Sequence, residues 1–149
     1  MQRSFGTPLL TSVIGAAIEV HRQLGPGLLE STYEECLCFE LDQLGIAHER
    51  QLALPILYKG HRLDAGYRID LVVERTLVVE VKSVDQLTRI HTAQVLTYLR
   101  LSGLETALLI NFNSVLLKDG LRRFALSASA RPAISAVDLT EPTPPPNPQ

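Results

Sequence analysis

The sequence predicts a single domain of the α/β (α+β) class, in which an N-terminal αα-hairpin is followed by a central sheet. Two stretches before residue 45 carry apolar residues at helical spacing, and the stretch from 46 to 83 changes to short apolar runs separated by turn residues. A third helical pattern then leads into another apolar run. With 149 residues, 46% of them hydrophobic, the chain is long enough for one core. We expect this domain to span residues 1–128.

The first two elements form the αα-hairpin. The first helix is predicted from Leu9 to Leu24 and is stopped by Gly25-Pro26-Gly27. The second is predicted from Leu28 to Leu44, where Gly45 can cap its carboxyl end. Each helix has one apolar face, which comprises Leu10, Val13, Ile14, Ala17, Ile18, His21 and Leu24 in the first, and Leu29, Tyr33, Leu37, Leu41 and Leu44 in the second.

A meander of three strands follows the hairpin. We place the strands at Glu49–Tyr58, His61–Val73 and Leu77–Ser83, with turns at Lys59-Gly60 and at residues 74–76. Pro55 cannot donate a hydrogen bond to a sheet, so at least part of the first strand should lie at an edge.

A helix predicted from Gln86 to Ser102 comes next, with Ser83 or Asp85 able to cap its start. The apolar strand Glu105–Phe112 follows, and then a short strand pair of Val115–Leu117 and Leu121–Phe124. Beyond residue 128 the periodicity is lost, and the proline-rich residues 129–149 are predicted to form a disordered tail.

Charge composition narrows the class of partner. A formal net charge of -2 gives no general basic field, so a nucleic acid would have to be held by a local patch or through bound cations.

No run approaches the roughly 18 apolar residues of a membrane span, and Pro8–Val20 lacks the cleavage site of a signal peptide. Cys36 and Cys38 point in different directions on a helix, which favours reduced thiols. We expect a cytoplasmic protein with no membrane partner.

The most informative residues are charges inside strands that should be buried. Asp70 lies in the run Ile69–Val73, and Glu80 and Lys82 lie in Leu77–Lys82, which are otherwise apolar enough for strands covered on both faces. Because side chains alternate along a strand, Glu80 and Lys82 share one face. A buried charge without a partner is costly. The set is therefore either a paired ion network or a site for a charged ligand, such as a metal ion or a phosphate.

Two helices add polar groups at positions where their period predicts apolar ones. On the second helix, Glu30 precedes Tyr33 by three residues and Leu37 by seven, on the face expected to be buried. On the third helix, Gln94 and Tyr98 share one face, whose other members are Leu87, Ile90 and Leu101. Polar groups from four elements that all face the interior indicate one shared site.

Metal-assisted phosphodiester hydrolysis is the chemistry that needs this set. Hard cations such as Mg²⁺ prefer carboxylate and carbonyl oxygens. Asp70 and Glu80 would provide two carboxylates to Mg²⁺ or Mn²⁺, with the Val81 carbonyl as a third ligand. Glu30 would reach the same ion directly or through water.

The remaining candidate residues would assist this chemistry. Lys82 would hold or activate the attacking water and stabilise the phosphorus oxygens. Gln94 and Tyr98 would position the lysine or a phosphate. The metal would lower the pKa of its water and neutralise charge on the phosphate under attack.

These residues resemble the PD-(D/E)XK nuclease superfamily and, within it, the small GxxExxY proteins. Residues 27–33 match the motif of that name, Asp70 and Glu80-Val81-Lys82 match the acids and lysine, and residues 94–98 resemble the QxxxY helix of RecB-like nucleases. The resemblance covers about Leu10 to Phe124, although Ile69 stands where a proline can precede the first acid. It implies a restriction-endonuclease-like α-β-β-β-α-β core with a mixed central sheet, divalent metal at the acidic pair and cleavage of nucleic acid.

Other interpretations stay open at this point. Asp70, Glu80 and Lys82 could instead form a buried ion triad that fixes strand register. Glu30 lies in the first turn of its helix, where the dipole favours an acid regardless of function.

The leading hypothesis is a Mg²⁺-dependent nuclease acting on DNA. The alternatives are a non-cleaving nucleic-acid or protein interaction module on the same fold, and a hydrolase of a small phosphate compound, which should have a closed pocket. A homodimer or a recruiting protein partner would extend the small binding surface.

Overall fold

Three helices and seven strands make up the computed structural model, which describes residues 7–127. The helices are α1 (Thr7–Leu24), α2 (Glu30–Gln43) and α3 (Arg89–Ser102). The strands are β1 (His48–Ala53), β2 (Ile56–Tyr58), β3 (His61–Leu63), β4 (Arg68–Val73), β5 (Leu77–Lys82), β6 (Thr106–Asn111) and β7 (Leu121–Ala125), and a 3₁₀ helix covers Leu117–Gly120. No helix in this part of the chain is both long enough and apolar enough to cross a bilayer.

Tyr33 fixes the αα-hairpin formed by α1 and α2. Its buried hydroxyl donates to the Gly25 carbonyl at 2.6 Å and accepts the Leu28 N–H at 3.1 Å, so it ties together the turn between the two helices. Gly27 in that turn has φ of 103°, which a residue with a side chain rarely adopts. The Tyr33 ring also stacks on Phe112, with 4.5 Å between ring centroids, which attaches the hairpin to the sheet.

The central sheet is mixed, with its five strands in the order β1-β4-β5-β6-β7. The strands β5 and β6 run parallel, with Leu77 opposite Thr106 and Lys82 opposite Asn111, because α3 returns the chain across one face of the sheet. The other neighbouring strands are antiparallel. The α-β-β-β-α-β core with a mixed sheet is thereby confirmed.

Helices cover both faces of this sheet. Burial of apolar side chains from both layers is the main force that holds them together. The α1–α2 layer packs on one face, through residues that include Val13, Ala17, Leu37, Val79 and Ile110. On the other face α3 packs through residues that include Val72, Val78, Val95, Leu99 and Leu109. Since Glu80 and Lys82 share a face with Val78, both lie on the side of α3.

The first two predicted strands are wrong as continuous elements. The predicted strand Glu49–Tyr58 breaks at residues 54–55, and the predicted strand His61–Val73 breaks at residues 64–67. Leu54 and Pro55 are buried, and Leu54 packs in the cluster under α3. The chain leaves the sheet here because Pro55 has no N–H to continue the ladder. β2 and β3 form a separate two-stranded sheet. The edge position is confirmed, because β1 is the first strand of the sheet.

Three smaller expectations are also corrected. No strand covers Val115–Leu117 within residues 7–127, and β7 pairs with β6 instead. The third helix begins at Arg89, after Thr88 as N-cap, and not at Gln86. Leu29 and Ile90 are exposed because they lie at helix starts, ahead of the turns that pack on the sheet. The tail predicted for residues 129–149 lies outside the described residues, as do the first six residues of the predicted domain.

Candidate active site

Asp70 and Glu80 lie where the ladder between β4 and β5 opens. Pairing of these strands runs from Val73 opposite Leu77 to Leu71 opposite Val79, and the two acids occupy the next position on each strand. Side chains satisfy the backbone there in place of the ladder. The Val81 N–H donates to Asp70 Oδ2 at 2.9 Å, and the Asp70 N–H donates to Glu80 Oε1 at 3.2 Å. The opening therefore brings two carboxyl groups together between neighbouring strands.

Both carboxyl groups are harder to ionise than usual. Burial, followed by the charge of Asp70, raises the pKa of Glu80 to about 8, and Lys82 opposes this rise. Burial also raises the pKa of Asp70, with a smaller contribution from the charge of Glu34, while the Val81 N–H, Gln51 and Lys82 lower it. Two acids held side by side with restricted access to water therefore repel each other when both are ionised.

Lys82 is held by α3 through an amide and a hydroxyl. Its Nζ donates to Gln94 Oε1 at 2.8 Å, and Gln94 Nε2 donates to the Tyr98 hydroxyl at 3.1 Å. Burial raises the pKa of Tyr98, Gln94 lowers it, and the charges of Glu80 and Asp70 raise it further. Within residues 7–127 no ion pair joins Lys82 to an acid at 4 Å or less. The ammonium is thus positioned by a neutral amide beside the acidic pair.

A second group of polar residues supports Asp70 from the α2 side. Gln51 Nε2 donates to Asp70 Oδ1 at 3.3 Å and to Glu34 Oε1 at 2.8 Å, and Arg50 Nε donates to the same Glu34 oxygen at 2.8 Å. Glu34 is only 3% exposed. Gln51 has φ of 54°, a strained conformation for a glutamine in a strand. Arg50, Gln51 and Glu34 thus fix one oxygen of Asp70 at the edge of the sheet.

Sequence reasoning missed Glu34 and Gln51. A signal for Glu34 was present, since it precedes Leu37 by three residues and Leu41 by seven and so shares their buried face. Gln51 gave no such signal. Its position opposite Asp70 follows from the register of β1 and β4, which pairs Arg50 with Leu71 and Leu52 with Ile69.

Glu30 lies at the end of β5 and is bonded to the backbone there. Its Oε1 accepts the N–H of Ser83, the residue after Lys82, at 3.2 Å, and the Ser83 hydroxyl donates to the Leu28 carbonyl. Both contacts join the start of α2 to the strand that carries Glu80 and Lys82. The described contacts of Glu30 thus fix the backbone beside Lys82.

Asn111 is a further residue that the sequence did not single out. It is 3% exposed and lies opposite Lys82 on β6. Its Oδ1 accepts the Val84 N–H at 3.0 Å, and its Nδ2 donates to the Val84 carbonyl at 2.9 Å. This pair of hydrogen bonds holds the segment that leaves β5 immediately after the site.

The donor set at the acidic pair fits a small hard cation. Two carboxyl groups of raised pKa face each other, and a divalent cation would relieve their repulsion. In residues 7–127 no group of three His, Cys, Asp or Glu side chains is arranged to hold a metal. Mg²⁺ commonly binds through one or two carboxylates and completes its shell with waters and substrate phosphates. A pair of carboxylates therefore suffices for this class of ion.

The structure brings together most of the predicted site residues. Asp70 and Glu80 meet across two strands, and Lys82, Gln94 and Tyr98 form a hydrogen-bonded chain beside them. Glu30 is joined to the same strand one residue beyond Lys82.

A cavity of about 650 Å³ lies at the opposite end of the sheet from the acidic pair. It is lined by residues that include Leu9, Leu77, Leu104, Thr106 and Phe124, at the starts of β5 and β6. None of the predicted site residues lines it. A small phosphate compound bound in this cavity would not reach Asp70 or Glu80, so the cavity lends no support to a hydrolase of small phosphates.

Comparison with known proteins gives one match. The family model of the PD-(D/E)XK nuclease superfamily matches residues 7–124. No curated protein and no solved structure matches the chain. The matched region runs from α1 to β7 and includes every residue of the acidic pair, the lysine and the α3 contacts.

Proposed function

The chain belongs to the PD-(D/E)XK nuclease superfamily, which implies a metal-dependent nuclease, and we propose that it hydrolyses phosphodiester bonds of DNA at Asp70, Glu80 and Lys82. Residues 27–33 support its assignment to the GxxExxY group within the superfamily. The choice of DNA follows from the likeness of the core to restriction endonucleases, and RNA is compared in the experiment below.

One observation carries this proposal. Two acids lie at the point where β4 and β5 separate, and the ammonium next to them is held by Gln94, not neutralised by an ion pair within the described residues. If Asp70, Glu80 and Lys82 served only to fix strand register, the lysine should form ion pairs with the two acids. Instead the two acids repel each other and Lys82 donates to the neutral amide of Gln94. This arrangement is expected of a site that receives a cation and a phosphate.

Asp70 and Glu80 would hold the divalent cation, with the Val81 carbonyl as a third ligand. Glu30 would reach the same ion through water, because no third acidic side chain within residues 7–127 is arranged to bind it directly. Mg²⁺ or Mn²⁺ bound there would act as a Lewis acid toward the phosphate and lower the pKa of a coordinated water. Asp70 can serve without rearranging, because Gln51 and the Val81 N–H already fix its two oxygens.

Lys82 would act on the phosphate and on the attacking water. Its ammonium has three N–H donors, and one of them is directed to Gln94. The other two can donate to a water and to a phosphate oxygen on which charge increases during the reaction. Tyr98 holds Gln94 from the other side, so Gln94 and Tyr98 would set the direction of the ammonium.

A cleavage assay tests the assignment. Labelled single-stranded, double-stranded and branched DNA, and matched RNA, are incubated with the protein in Mg²⁺, in Mn²⁺ and in EDTA. We expect DNA cleavage that requires the metal and falls at least about 100-fold in Asp70→Asn, Glu80→Gln and Lys82→Ala, because each removes a ligand or a charge needed in the transition state.

Matched controls are available at exposed positions. Asp119→Asn, Glu105→Gln and Lys118→Ala make the same chemical changes away from the acidic pair and should keep full activity. Circular dichroism melts check that the site variants are folded. Equal cleavage by Asp70→Asn, Lys82→Ala and the unmodified protein would refute the assignment. Folded protein that binds nucleic acid without cleaving it would instead support the non-cleaving interaction module.

A further inference from the structure

Two tyrosines are exposed on the segment that joins β1 to β4. Of the four tyrosines in the chain, Tyr33 and Tyr98 are buried, whereas Tyr58 is 61% exposed and Tyr67 is 48% exposed. Tyr58 ends β2, beside the turn of the β2–β3 hairpin, and Tyr67 immediately precedes β4. We call residues 54–68, which contain both, the hairpin surface. Exposed aromatic rings of this kind can stack on other flat rings.

The hairpin surface is basic in a chain that is acidic overall. Lys59, Arg62 and Arg68 oppose a single acid, Asp64, which gives this segment a formal charge of +2, against -2 for the whole chain. Asp64 partly neutralises Arg62, with 3.5 Å between Arg62 Nε and Asp64 Oδ1. Lys59 Nζ lies 5.5 Å from the centre of the Tyr58 ring, so an aromatic face and a cation are adjacent at the turn.

The base of the hairpin surface adjoins the acidic pair. Arg68 Nη1 donates to the Gln51 carbonyl at 3.2 Å, and the side chain of Gln51 donates to Asp70. The Leu54 N–H donates to the Tyr67 carbonyl at 2.8 Å, which closes the base of the segment. Leu54 belongs to the same apolar cluster as Tyr98, whose hydroxyl accepts a hydrogen bond from the Gln94 that holds Lys82. The base of the hairpin surface thus lies on the α3 side of the sheet, where Lys82 and its partners lie.

We propose that the hairpin surface binds single-stranded DNA, with bases stacked on Tyr58 and Tyr67 and phosphates held by Lys59 and Arg62, and that it leads the strand to Asp70 and Glu80. The destination of the strand rests on the proposed function. In a duplex the faces of the bases are covered by their neighbours, so two exposed rings favour a strand whose bases are free to unstack. Interspersed cations then hold the phosphates between the stacked bases.

Binding without metal tests this proposal. Fluorescence anisotropy in EDTA measures the affinity for a labelled 12-nucleotide oligo-dT, for a 12-base-pair duplex and for oligo-U. We expect oligo-dT to bind at least about tenfold more tightly than the duplex. Tyr58→Ala and Tyr67→Ala should each weaken oligo-dT binding by about fivefold or more, because each removes one stacked base contact.

The controls separate stacking from general surface effects. Tyr58→Phe keeps the ring and should bind within about twofold of the unmodified protein. Phe39→Ala removes an aromatic ring on α2 that is as exposed as Tyr58, at 61%, and should have no effect. Arg62→Ala should lower the slope of log affinity against log salt by about one, and Arg100→Ala on the exposed face of α3 should not.

Several results would overturn the proposal. Unchanged oligo-dT binding in both Tyr→Ala variants, an equal loss in Phe39→Ala, or equal affinity for the duplex would exclude stacking on the hairpin surface. Tighter binding of oligo-U would overturn the choice of DNA. Comparing these titrations with the cleavage assay on the unmodified protein separates the two proposals. If cleavage is absent but the tyrosine variants lose binding, only the nuclease assignment fails. If cleavage is present and the variants bind normally, only the hairpin inference fails.

Discussion

Glu80 is the residue in which the conflict between fold and function is most direct. It is 2% exposed and lies beside another acid, so its ionised form is disfavoured by both burial and repulsion. A side chain that served packing alone would be replaced there by an apolar one at little cost. Its presence is explained if a cation binds, because the positive charge offsets both the cost of burial and the repulsion by Asp70.

This conflict predicts how stability depends on pH in the absence of metal. The pKa of Glu80 is raised from 4.5 to about 8, so the folded state holds this proton more tightly than the unfolded state does. The contribution of the protonated Glu80 side chain to the free energy of unfolding is therefore complete below pH 4.5, and it is lost as the pH rises through 8. We therefore expect Glu80→Gln to melt at about the same temperature as the unmodified protein at pH 5, and at least about 3 °C higher at pH 8.5, in EDTA.

Calorimetry or circular dichroism melts at the two pH values measure this difference. Mn²⁺ or Mg²⁺ at pH 8.5 should raise the melting temperature of the unmodified protein more than that of Glu80→Gln. Glu105→Gln, at an exposed position, retains Glu80 and should melt at the same temperature as the unmodified protein at each of the two pH values. A Glu80→Gln variant that is less stable at pH 8.5 would show that the carboxylate is stabilised by partners in the metal-free fold.

At the scale of elements, the turn between β6 and β7 leaves no room for a side chain at Gly120. It contains the 3₁₀ helix that ends at Gly120, and a Cβ added to Gly120 would collide with the Asn111 carbonyl and the Ser114 hydroxyl. The hydroxyl can rotate, but the backbone carbonyl of Asn111 is held in β6. The Asn111 side chain also fixes Val84. The turn can therefore accept only glycine without moving the end of β6.

A pair of glycine substitutions tests this packing. Gly120→Ala should lower the free energy of unfolding by about 1–3 kcal/mol, because the added methyl group overpacks the turn. Gly15→Ala should raise it by roughly 0.5–1 kcal/mol, since Gly15 lies in α1 with open space where its Cβ would be, and alanine favours helix. Urea denaturation of both variants measures the two changes. A neutral Gly120→Ala would mean that the turn can relax away from the strand.

At the scale of the whole molecule, two helical layers around one mixed sheet explain how so polar a site is held in place. Apolar clusters on both faces of the sheet fix β4 and β5, which can then separate at one end without loss of the rest of the ladder. The site lies at that open end, and the hairpin surface leaves the sheet on the same side through Arg68 and Gln51. The overall architecture thus positions both the acids and the proposed strand-binding surface.

We propose a single domain over residues 1–128, and truncation tests this boundary. A chain that ends at Ala128 should unfold in one transition, with a melting temperature within about 2 °C of the full chain, because residues 7–127 already supply an apolar cluster on each face of the sheet. Cleavage and oligo-dT binding should be unchanged. Loss of cooperativity or of activity on truncation would place part of the functional domain beyond residue 128. Light scattering on the same samples tests whether the chain forms a homodimer, the alternative to a recruiting protein partner.

The sequence by itself determined the α-β-β-β-α-β order of the core, the αα-hairpin, and the identity of Asp70, Glu80, Lys82, Gln94 and Tyr98 as polar groups in apolar runs. These features depend on local periodicity, which is visible in one dimension because it repeats every two or 3.6 residues. Only the tertiary structure decided that β1 and β2 separate at Pro55, and that Glu34 and Gln51 support Asp70. It also placed Glu30 against Ser83. Those facts depend on register and on contacts between residues far apart in the chain. The period of α2 places Glu34 on the buried face, but it does not show which residues Glu34 contacts there.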